Sequence, residues 1–234
     1  MGCTSGREVG AEESLILYAE SGLNFTAIDV ETLDITFRKY HCNGIMNQSQ
    51  LIQISQQLNF PILNVNEHRN IQKFYNSLKQ KEGYPLKDLL LISILLGKGK
   101  LNKKARLIYE IFDEHFSHQL EYEIVKNEIV YRMLNHCVNT LPLLVYDRFL
   151  EADVRSKLER RIRKLNEVIP FACEHLAKQF CIRGNVISVG TFVEVLCEQP
   201  KLVSPMGIRR YLEESRILFK QSSLESKEIH NGRQ

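Results

Sequence analysis

The sequence predicts an all-α fold of four helix–loop–helix units, arranged as two pairs and followed by an extra helix near the C-terminus. Over most of the chain, apolar residues recur every three or four positions, which is the period of a helix with one buried face. Breakers such as Pro61, Gly83 and Pro85 divide these periodic stretches into segments of similar size. No strand-rich region of the sequence competes with this pattern, so the helical units are its strongest organisational signal.

The first pair of units is predicted over residues 25–98. The stretch DVETLDITFRKY spaces its apolar residues as a helix does, HCNG interrupts it, and a second helix resumes from about Asn47. After Pro61, the stretches NEHRNIQKFYNSL and LKDLLLISILLG form the next unit around the loop KQKEGYP. Gly97 follows the last apolar residue in the manner of a helix C-cap, so we end this pair at residue 98.

The second pair of units is predicted over residues 99–204. LNKKARLIYEIF and YEIVKNEIVYRMLNHC flank the loop DEHFSHQLE, and FACEHLAKQF and VGTFVEVLCE flank the loop CIRGNVIS. A last amphipathic helix is predicted over residues 205–220. Residues 1–24 are assigned to an acylable N-terminal segment and lead-in whose helical pattern starts at Glu12, and residues 221–234 to a disordered polar tail.

Composition and charge are those of an ordinary globular protein. The chain has 234 residues, of which 44% are hydrophobic and 25% are charged, and its formal net charge of +3 is too small to favour nucleic-acid binding. The longest apolar run, LLLISILLG, is about half of the ~20 residues that cross a bilayer, so it predicts a buried helix and no transmembrane segment. The sequence has no CxxC pair and no secretory signal, so we expect reduced cysteines and a cytoplasmic protein.

The N-terminal residues MGCTSGR carry a candidate site of lipid attachment. Removal of Met1 would expose Gly2 for myristoylation, and Cys3 is a neighbouring candidate for palmitoylation. Myristate alone holds a protein at a membrane only marginally, so Cys3 would supply the second anchor. The sixth position, which usually holds Ser or Thr, is Gly6, and the alternative is an unmodified N-terminus with an ordinary glycine and cysteine.

Residues 25–204 resemble the four-EF-hand proteins of the neuronal calcium sensor and calcineurin B type. The resemblance is clearest in PLKDLLLISILLGKGKLNKKARLIYEIFD, which matches the family's run from the second exiting helix into the third entering helix. VISVGTFVEVLCEQPKLV matches the end of the fourth unit, and an N-terminal glycine that can be acylated is common in that family. The resemblance implies two EF-hand-pair lobes with an apolar groove that clasps a helix of a target protein.

The four loops lack the ligands of a calcium-binding EF-hand. Such a loop supplies oxygen ligands from positions 1, 3, 5, 7 and 9, a Gly at position 6 and a bidentate Glu at position 12. In the third loop Asp113 falls at position 1, but His118 replaces the Gly and Ile124 replaces the Glu. No metal site and no cofactor are therefore expected, and the remaining candidates for a weak calcium site are Asp113, Ser117 and Glu121.

The other loops deviate further from the calcium-binding pattern. The first loop is short, and the second has Lys79 and Lys81 at ligand positions and Asp88 at its end. Leu120 and Ile187 nevertheless occupy the eighth positions of the third and fourth loops, where paired loops normally form a short strand contact. We therefore expect these loops to pair, and the lobes to cohere through buried apolar surface without an ion.

Other groups of reactive residues do not indicate zinc binding or catalysis. His115, His118 and the pair His41-Cys42 have no second cluster at suitable spacing, so we interpret them as solvent-facing loop residues. The sequence contains no phosphate-binding glycine loop and no GxSxG or HExxH motif, so an enzyme is not expected. The cysteines on or near apolar helix faces are interpreted as small core residues: Cys173, Cys181 and Cys197.

The helix DVRSKLERRIRKLNEVI, between the third and fourth units, is rich in basic residues. Its cations are Arg155, Lys157, Arg160, Arg161, Arg163 and Lys164. One interpretation is a contact with an acidic partner or an anionic membrane. The favoured interpretation is a solvated face on which Glu151, Asp153 and Glu159 form i,i+4 pairs with these cations.

The predicted function is a regulatory or adaptor protein that binds a target helix in an apolar groove, largely without calcium. The target would be a phosphatase, a channel or a cytoskeletal protein, and acyl chains on Gly2 and Cys3 would hold the assembly at the cytoplasmic face of a membrane. The candidate groove residues are Phe37, Leu51, Phe74, Leu91, Leu95 and Phe112. The last helix could fill the groove in place of a target. The alternatives are a calcium sensor with divergent loops and an architectural component of a cytoskeletal or ciliary assembly.

Overall fold

The computed structural model describes residues 9–61, 69–146, 150–181 and 184–231. Within these ranges the all-α prediction is confirmed, because most residues are helical and the strands are short. The helices of the first half are α1 (Ala11–Ser21), α2 (Val30–Lys39), α3 (Gln48–Leu58), α4 (Arg69–Leu78), α5 (Leu86–Leu96) and α6 (Leu101–Phe112), with a 3-10 turn at Phe25–Ala27. The strands are β1 (Ile45–Met46), β2 (Tyr84–Pro85), β3 (Gln119–Glu121) and β4 (Val186–Ser188).

A long helical stretch, residues 122–145, opens the second half and changes its hydrogen-bonding pattern along its length. It consists of α7 (Tyr122–Ile124), a π-helix (Val125–Val130), α8 (Tyr131–Asn135), a second π-helix (His136–Thr140) and a 3-10 helix (Leu141–Val145). Pro142, which has no N–H to donate, stands near the start of the 3-10 segment. The remaining helices are α9 (Ala152–Asn166), α10 (Ile169–Phe180), α11 (Val189–Glu198) and α12 (Pro205–Asn231), with a 3-10 turn at Pro200–Val203.

Polar side chains fix where several of these helices begin. Asn47 accepts a hydrogen bond from the backbone N–H of Gln50 at 2.9 Å, and the Gln50 side chain accepts the N–H of Asn47 at 2.8 Å, which is a reciprocal cap at the start of α3. Asp29 caps α2 and Ser188 caps α11 in the simpler one-way manner. Gly97 follows the last residue of α5 and caps it, as predicted.

Two small antiparallel ladders join consecutive helix–loop–helix units. In the first half, β1 pairs with β2, and Ile45 lies opposite Pro85. In the second half, β3 pairs with β4, and Leu120 lies opposite Ile187, which confirms the pairing expected from their loop positions. Both side chains of that second contact are buried, so apolar surface holds the paired loops together.

The two halves share one apolar core. A single cluster of buried residues includes side chains of α2 and α5 in the first half and of α6, α10 and α11 in the second. The segment between α5 and α6 is pinned to the start of α2, because Val30 N–H donates to Lys98 O at 2.9 Å and Lys98 N–H donates to Ile28 O at 2.8 Å. Gly99 permits this approach, since a Cβ there would lie 2.5 Å from Val30 Cγ2.

Helix α12 packs on the second half and extends further than the sequence analysis expected. Ile208, Tyr211 and Leu212 bury its first turns, and a Cβ on Gly207 would lie only 2.0 Å from Lys201 O of the preceding 3-10 turn. The helix then continues to Asn231, past residue 220, where the prediction ended it. Residues 220–231 contain no Gly or Pro, so nothing in that stretch forces a helix to stop.

A buried ion cluster ties α12 to α1. Arg209 Nε lies 3.0 Å from both carboxylate oxygens of Glu13, and its Nη1 donates to Glu20 Oε1 at 2.8 Å and to Cys137 O at 3.1 Å. Arg161 of α9 adds a contact from its Nη2 to Glu13 at 2.7 Å. Because Arg209 is fully buried and both glutamates are nearly so, each charge depends on its partners for solvation.

We expect the substitution Arg209→Ala to lower the free energy of unfolding by about 3–5 kcal/mol, because it leaves Glu13 and Glu20 buried without their counter-ion. Urea denaturation followed by circular dichroism measures this loss. Its matched control is Arg210→Ala, one residue along, where the side chain is exposed and the change should stay within about 0.5 kcal/mol. Equal losses of unfolding free energy for the two substitutions would show that the buried ion cluster stabilises the fold no more than an exposed arginine does.

Candidate functional site

The third loop closes around Asp113 with hydrogen bonds from the chain itself. Asp113 Oδ1 accepts the backbone N–H of Ser117 at 2.9 Å and lies 3.0 Å from Ser117 Oγ, while Oδ2 accepts the N–H of His118 at 2.8 Å. Phe116 and His118 both adopt left-handed backbone angles, with φ of 51° and 55°. Residues other than glycine thus make the sharp turn for which a calcium-binding loop uses Gly.

The electrostatics of Asp113 favour its ionised form. Burial by itself would raise the pKa of this carboxyl, but the N–H groups of His118 and Ser117 and the Ser117 hydroxyl outweigh burial and hold the pKa below its usual value. The negative charge is therefore stabilised by loop donors that point at both oxygens. A calcium ion would have to compete with those donors for the same lone pairs.

The structure brings together two of the three candidate calcium ligands. Asp113 and Ser117 are in contact, whereas Glu121 lies in β3 opposite Val186 with an exposed side chain. Among the residues that the structure describes, no three His, Cys, Asp or Glu side chains form a group that could hold a metal ion. The histidines and the cysteine considered for zinc are exposed: His41, Cys42, His115 and His118.

Asp88, at the end of the second loop, faces the helical stretch 122–145 rather than its own loop. Its Oδ1 lies 3.0 Å from His136 Nε2 and accepts a hydrogen bond from Arg132 Nη1 at 2.7 Å. His136 Nδ1 lies 3.1 Å from Thr140 Oγ1. The order Asp88–His136–Thr140 is that of an acid, a base and a hydroxyl, but the Thr140 side chain is buried and does not line the adjacent cavity of about 290 Å³. We interpret this group, the Asp88 cluster, as a polar contact that fixes α5 against the helical stretch.

The pKa of Asp88 is lowered by its partners. Burial would raise it, but the hydrogen bond and the charge of His136, followed by those of Arg132, outweigh burial. A carboxyl with a lowered pKa stabilises the folded state above its ordinary value of 3.8, and this contribution is lost as the pH falls toward the lowered pKa.

The residues predicted to line a partner groove belong to the core in this conformation. Their exposed fractions are at most 5%, so none of them presents a free surface: Phe37, Leu51, Phe74, Leu91, Leu95 and Phe112. This conformation therefore does not contain the predicted open groove lined by these side chains. Leucine and phenylalanine at helical spacing serve a closed core as well as a groove, and here these side chains belong to the shared buried cluster.

Helix α12 is the segment that lies along the apolar face of the second half. It contacts the second π-helix, α8, α9 and α10, and Tyr211 Oη lies 3.3 Å from His175 Nδ1. Beyond this region its exposed apolar residues include Ile217 and Leu218. The first turns of α12 are thus a docked amphipathic helix.

Apart from the exposed Cys42, the cysteines in the described residues are buried or partly buried. Burial raises the pKa of the Cys137 thiol, and it raises the pKa of Cys173 to about 11, so both stay protonated near neutral pH. Cys181 and Cys197 are partly buried and form no disulfide. The predicted lipidation sites Gly2 and Cys3 lie outside the described residues.

Sequence reasoning missed the two buried polar clusters. Glu13 and Glu20 are seven residues apart, which places them on one face of α1, but that spacing is also typical of a solvated face. Nothing local to Asp88 or Arg209 indicates its partner, because the partners lie far away in the chain.

No protein-family model, no curated protein and no solved structure matched this chain. In the part of the chain that the structure describes, no helix has both the length and the apolar composition needed to cross a bilayer. The function is therefore inferred from the geometry of the loops and helices.

For the third loop, we expect Asp113→Ala to lower the free energy of unfolding by about 1–2 kcal/mol, because it removes the acceptor of three loop donors. Thermal unfolding with added calcium and with EDTA should give the same midpoint for the unsubstituted protein. The matched control is Glu114→Ala, which removes an exposed carboxylate paired with Lys87 and should cost less than about 1 kcal/mol. A calcium-induced rise in midpoint that Asp113→Ala abolishes would contradict this reading of the loop.

The Asp88 cluster predicts a pH-dependent effect of Asp88→Asn. At pH 7 the substitution should lower the free energy of unfolding by about 1.5–3 kcal/mol, because it removes charged hydrogen bonds to His136 and Arg132. The difference in unfolding free energy between Asp88→Asn and the unsubstituted protein should narrow as the pH falls below the carboxyl's ordinary range. At such a pH Asp88 also loses its charge.

Urea titrations across this pH range measure the narrowing. Asp153→Asn is the control, because its carboxylate forms an exposed pair with Lys157 and should have little effect at any pH. If the difference in unfolding free energy between Asp88→Asn and the unsubstituted protein stays constant with pH, ionisation of Asp88 does not stabilise the fold.

Proposed function

We propose that this chain is an EF-hand-like regulatory or adaptor protein that binds an amphipathic helix of a partner without requiring calcium. The observation that carries the proposal is the antiparallel pairing of consecutive loops, β1 with β2 and β3 with β4. Two helix–loop–helix units joined through their loops are the architecture of an EF-hand pair. The two ladders accordingly support two such pairs, which together form the proposed EF-hand-like frame.

Calcium independence is supported by the way the third loop is closed. Both oxygens of Asp113 accept hydrogen bonds from the loop, and Leu120 and Ile187 bury apolar surface across the ladder. The loop therefore has the donors and the packing that hold its shape without a divalent ion. In an adaptor of this kind, calcium would not control access to the binding surface.

Helix binding is supported by α12, which acts as an internal example of the proposed ligand. Its apolar side chains Ile208, Tyr211 and Leu212 enter the second half of the protein at helical spacing, as the anchors of a helix in a groove do. A partner helix with similar anchors would take the place of α12. The predicted groove residues of the first half are closed in this conformation, so we assign the binding surface to the second half.

The proposal retains the membrane tether expected from the sequence. Acyl chains on Gly2 and Cys3 would hold the protein and its partner at the cytoplasmic face of a membrane. The partner is defined by its chemistry, as an amphipathic helix that presents a branched or aromatic apolar side chain every three or four residues. A phosphatase, a channel or a cytoskeletal protein could each supply such a segment.

The helix-binding proposal is tested with a labelled peptide of residues 205–219 and the full-length protein. We expect the peptide to bind the double variant Ile208→Ala/Leu212→Ala, in which α12 of the protein is loosened, and not the unsubstituted protein, where α12 occupies the surface. Each truncation of a buried Ile or Leu costs about 2–5 kcal/mol of packing, which is enough to weaken docking. Fluorescence anisotropy in calcium and in EDTA should give the same affinity.

The control is Ile217→Ala/Leu218→Ala, which alters exposed residues of the same helix and should leave the surface occupied. Circular dichroism establishes that each variant is folded. A folded Ile208→Ala/Leu212→Ala protein that fails to bind the peptide, or binds it only with calcium, would overturn the proposal.

A further inference from the structure

A cleft between α9 and α12 collects basic side chains from both helices. It has a volume of about 420 Å³, and five cations line it: Lys157, Arg160, Arg161, Lys164 and Arg216. The four α9 residues follow the spacing i, i+3, i+4, i+7, so they lie on one face of that helix. We call this site the basic cleft.

The positive charge of the basic cleft is only partly compensated. Lys157 pairs with Asp153 at 2.7 Å, which confirms one of the i,i+4 pairs expected for a solvated face, and Arg161 pairs with Glu13 and Glu213. Two carboxylates line the cleft itself, Glu12 and Glu213.

The other three cations of the cleft outnumber Glu12, the one lining carboxylate that forms no ion pair within the described residues. In the described part of the chain, no carboxylate lies within ion-pair distance of Arg160, Lys164 or Arg216. Arg161 Nη1 is buried and has no hydrogen-bond acceptor among the described residues. The cleft therefore offers more donors than its own acidic residues use.

A second cavity adjoins the basic cleft and shares Glu12, Arg161 and Glu213 with it. Its other carboxylates are already paired, because Glu13 binds Arg209 and Glu214 binds Lys201. The same cavity is lined by Val9 and Ile217, and both side chains are about half exposed. Apolar side chains that reach solvent thus stand beside the surplus cations.

The described part of the chain begins at the cavity beside the basic cleft. The first described residue, Val9, lines the adjoining cavity, and Gly2 precedes it by seven residues. Covalent geometry keeps Gly2 within about 25 Å of Val9. A lipid attached to Gly2 or Cys3 would therefore enter a membrane within about 25 Å of Val9.

We propose that the basic cleft and its flanking apolar residues form a face that binds anionic phospholipid at a membrane surface. The cations would contact headgroup phosphates and carboxylates, and Val9 and Ile217 would enter the boundary between headgroups and acyl chains. The exposed apolar residues and the adjacent N-terminus favour a lipid surface over an acidic protein. This face would act as the second membrane signal that a single acyl chain requires, and it does not depend on helix binding by the protein.

The test uses full-length protein that carries Gly2→Ala and Cys3→Ser, so that no acyl chain on either residue contributes. Co-sedimentation with phosphatidylcholine vesicles, with and without phosphatidylserine, should show binding only to the anionic vesicles, and added salt should weaken it. The cleft variant Arg160→Gln/Lys164→Gln/Arg216→Gln should lose about fivefold in affinity per cation, which is on the order of a hundredfold in total. Thermal unfolding should be unchanged, because none of these three side chains belongs to the core.

The matched control is Lys79→Gln/Lys81→Gln/Lys100→Gln, which removes the same charge from exposed positions outside the cleft. It should retain most of the vesicle binding. Equal losses in the two triple variants would overturn the proposal in favour of net charge alone, and so would failure of the starting protein to bind anionic vesicles. Complete release by millimolar inorganic phosphate would also overturn it, since that result identifies a site for free phosphate. Each of these outcomes leaves the peptide test of helix binding unaffected.

Discussion

The arrangement of α1 and α12 depends on the buried ion cluster that Arg209 forms with Glu13 and Glu20. Arg209 and Glu13 are 196 positions apart, and their contact lies out of solvent together with Glu20. A helix that buries an arginine needs acceptors of matching geometry, and α1 supplies two carboxylates while the helical stretch 122–145 supplies the Cys137 carbonyl. Helix α12 therefore cannot dock fully unless α1 is in place, although α1 precedes the first helix–loop–helix unit.

The third loop indicates how an ion-binding geometry persists without its ion in the proposed EF-hand-like frame. In a calcium loop, carboxylates converge on the metal, and the metal holds the turn. Here Asp113 faces inward, but its acceptors are the loop N–H groups, and Leu120 pairs with Ile187 beside them. The loop is thus held by its own donors and by apolar packing, neither of which requires an ion.

Much of the fold could be predicted from the sequence, because local periodicity and breakers report directly on helices. The helical units follow from spacing, whereas the contact between Leu120 and Ile187 was expected from the loop positions that the EF-hand resemblance implies. The buried polar clusters could not be found in this way, since Asp88 and His136 are 48 positions apart and no short-range pattern links them. Phe37 and Leu91 illustrate a second limit, because an apolar helix face looks the same in sequence whether it lines a groove or closes a core. The basic cleft is an intermediate case, in which the α9 face was visible but Arg216 joined it only through folding.

The π-helical turns within residues 122–145 have a consequence for rotational register. A π turn holds more residues than an α turn, so relaxing one of them to α geometry would rotate every later side chain by roughly 100° about the axis. The first π-helix precedes His136, so relaxing that helix would rotate His136 away from Asp88 and break the bond between them. The same rotation would turn the Cys137 carbonyl away from Arg209, so the loss of that acceptor would reach the contact between α12 and α1.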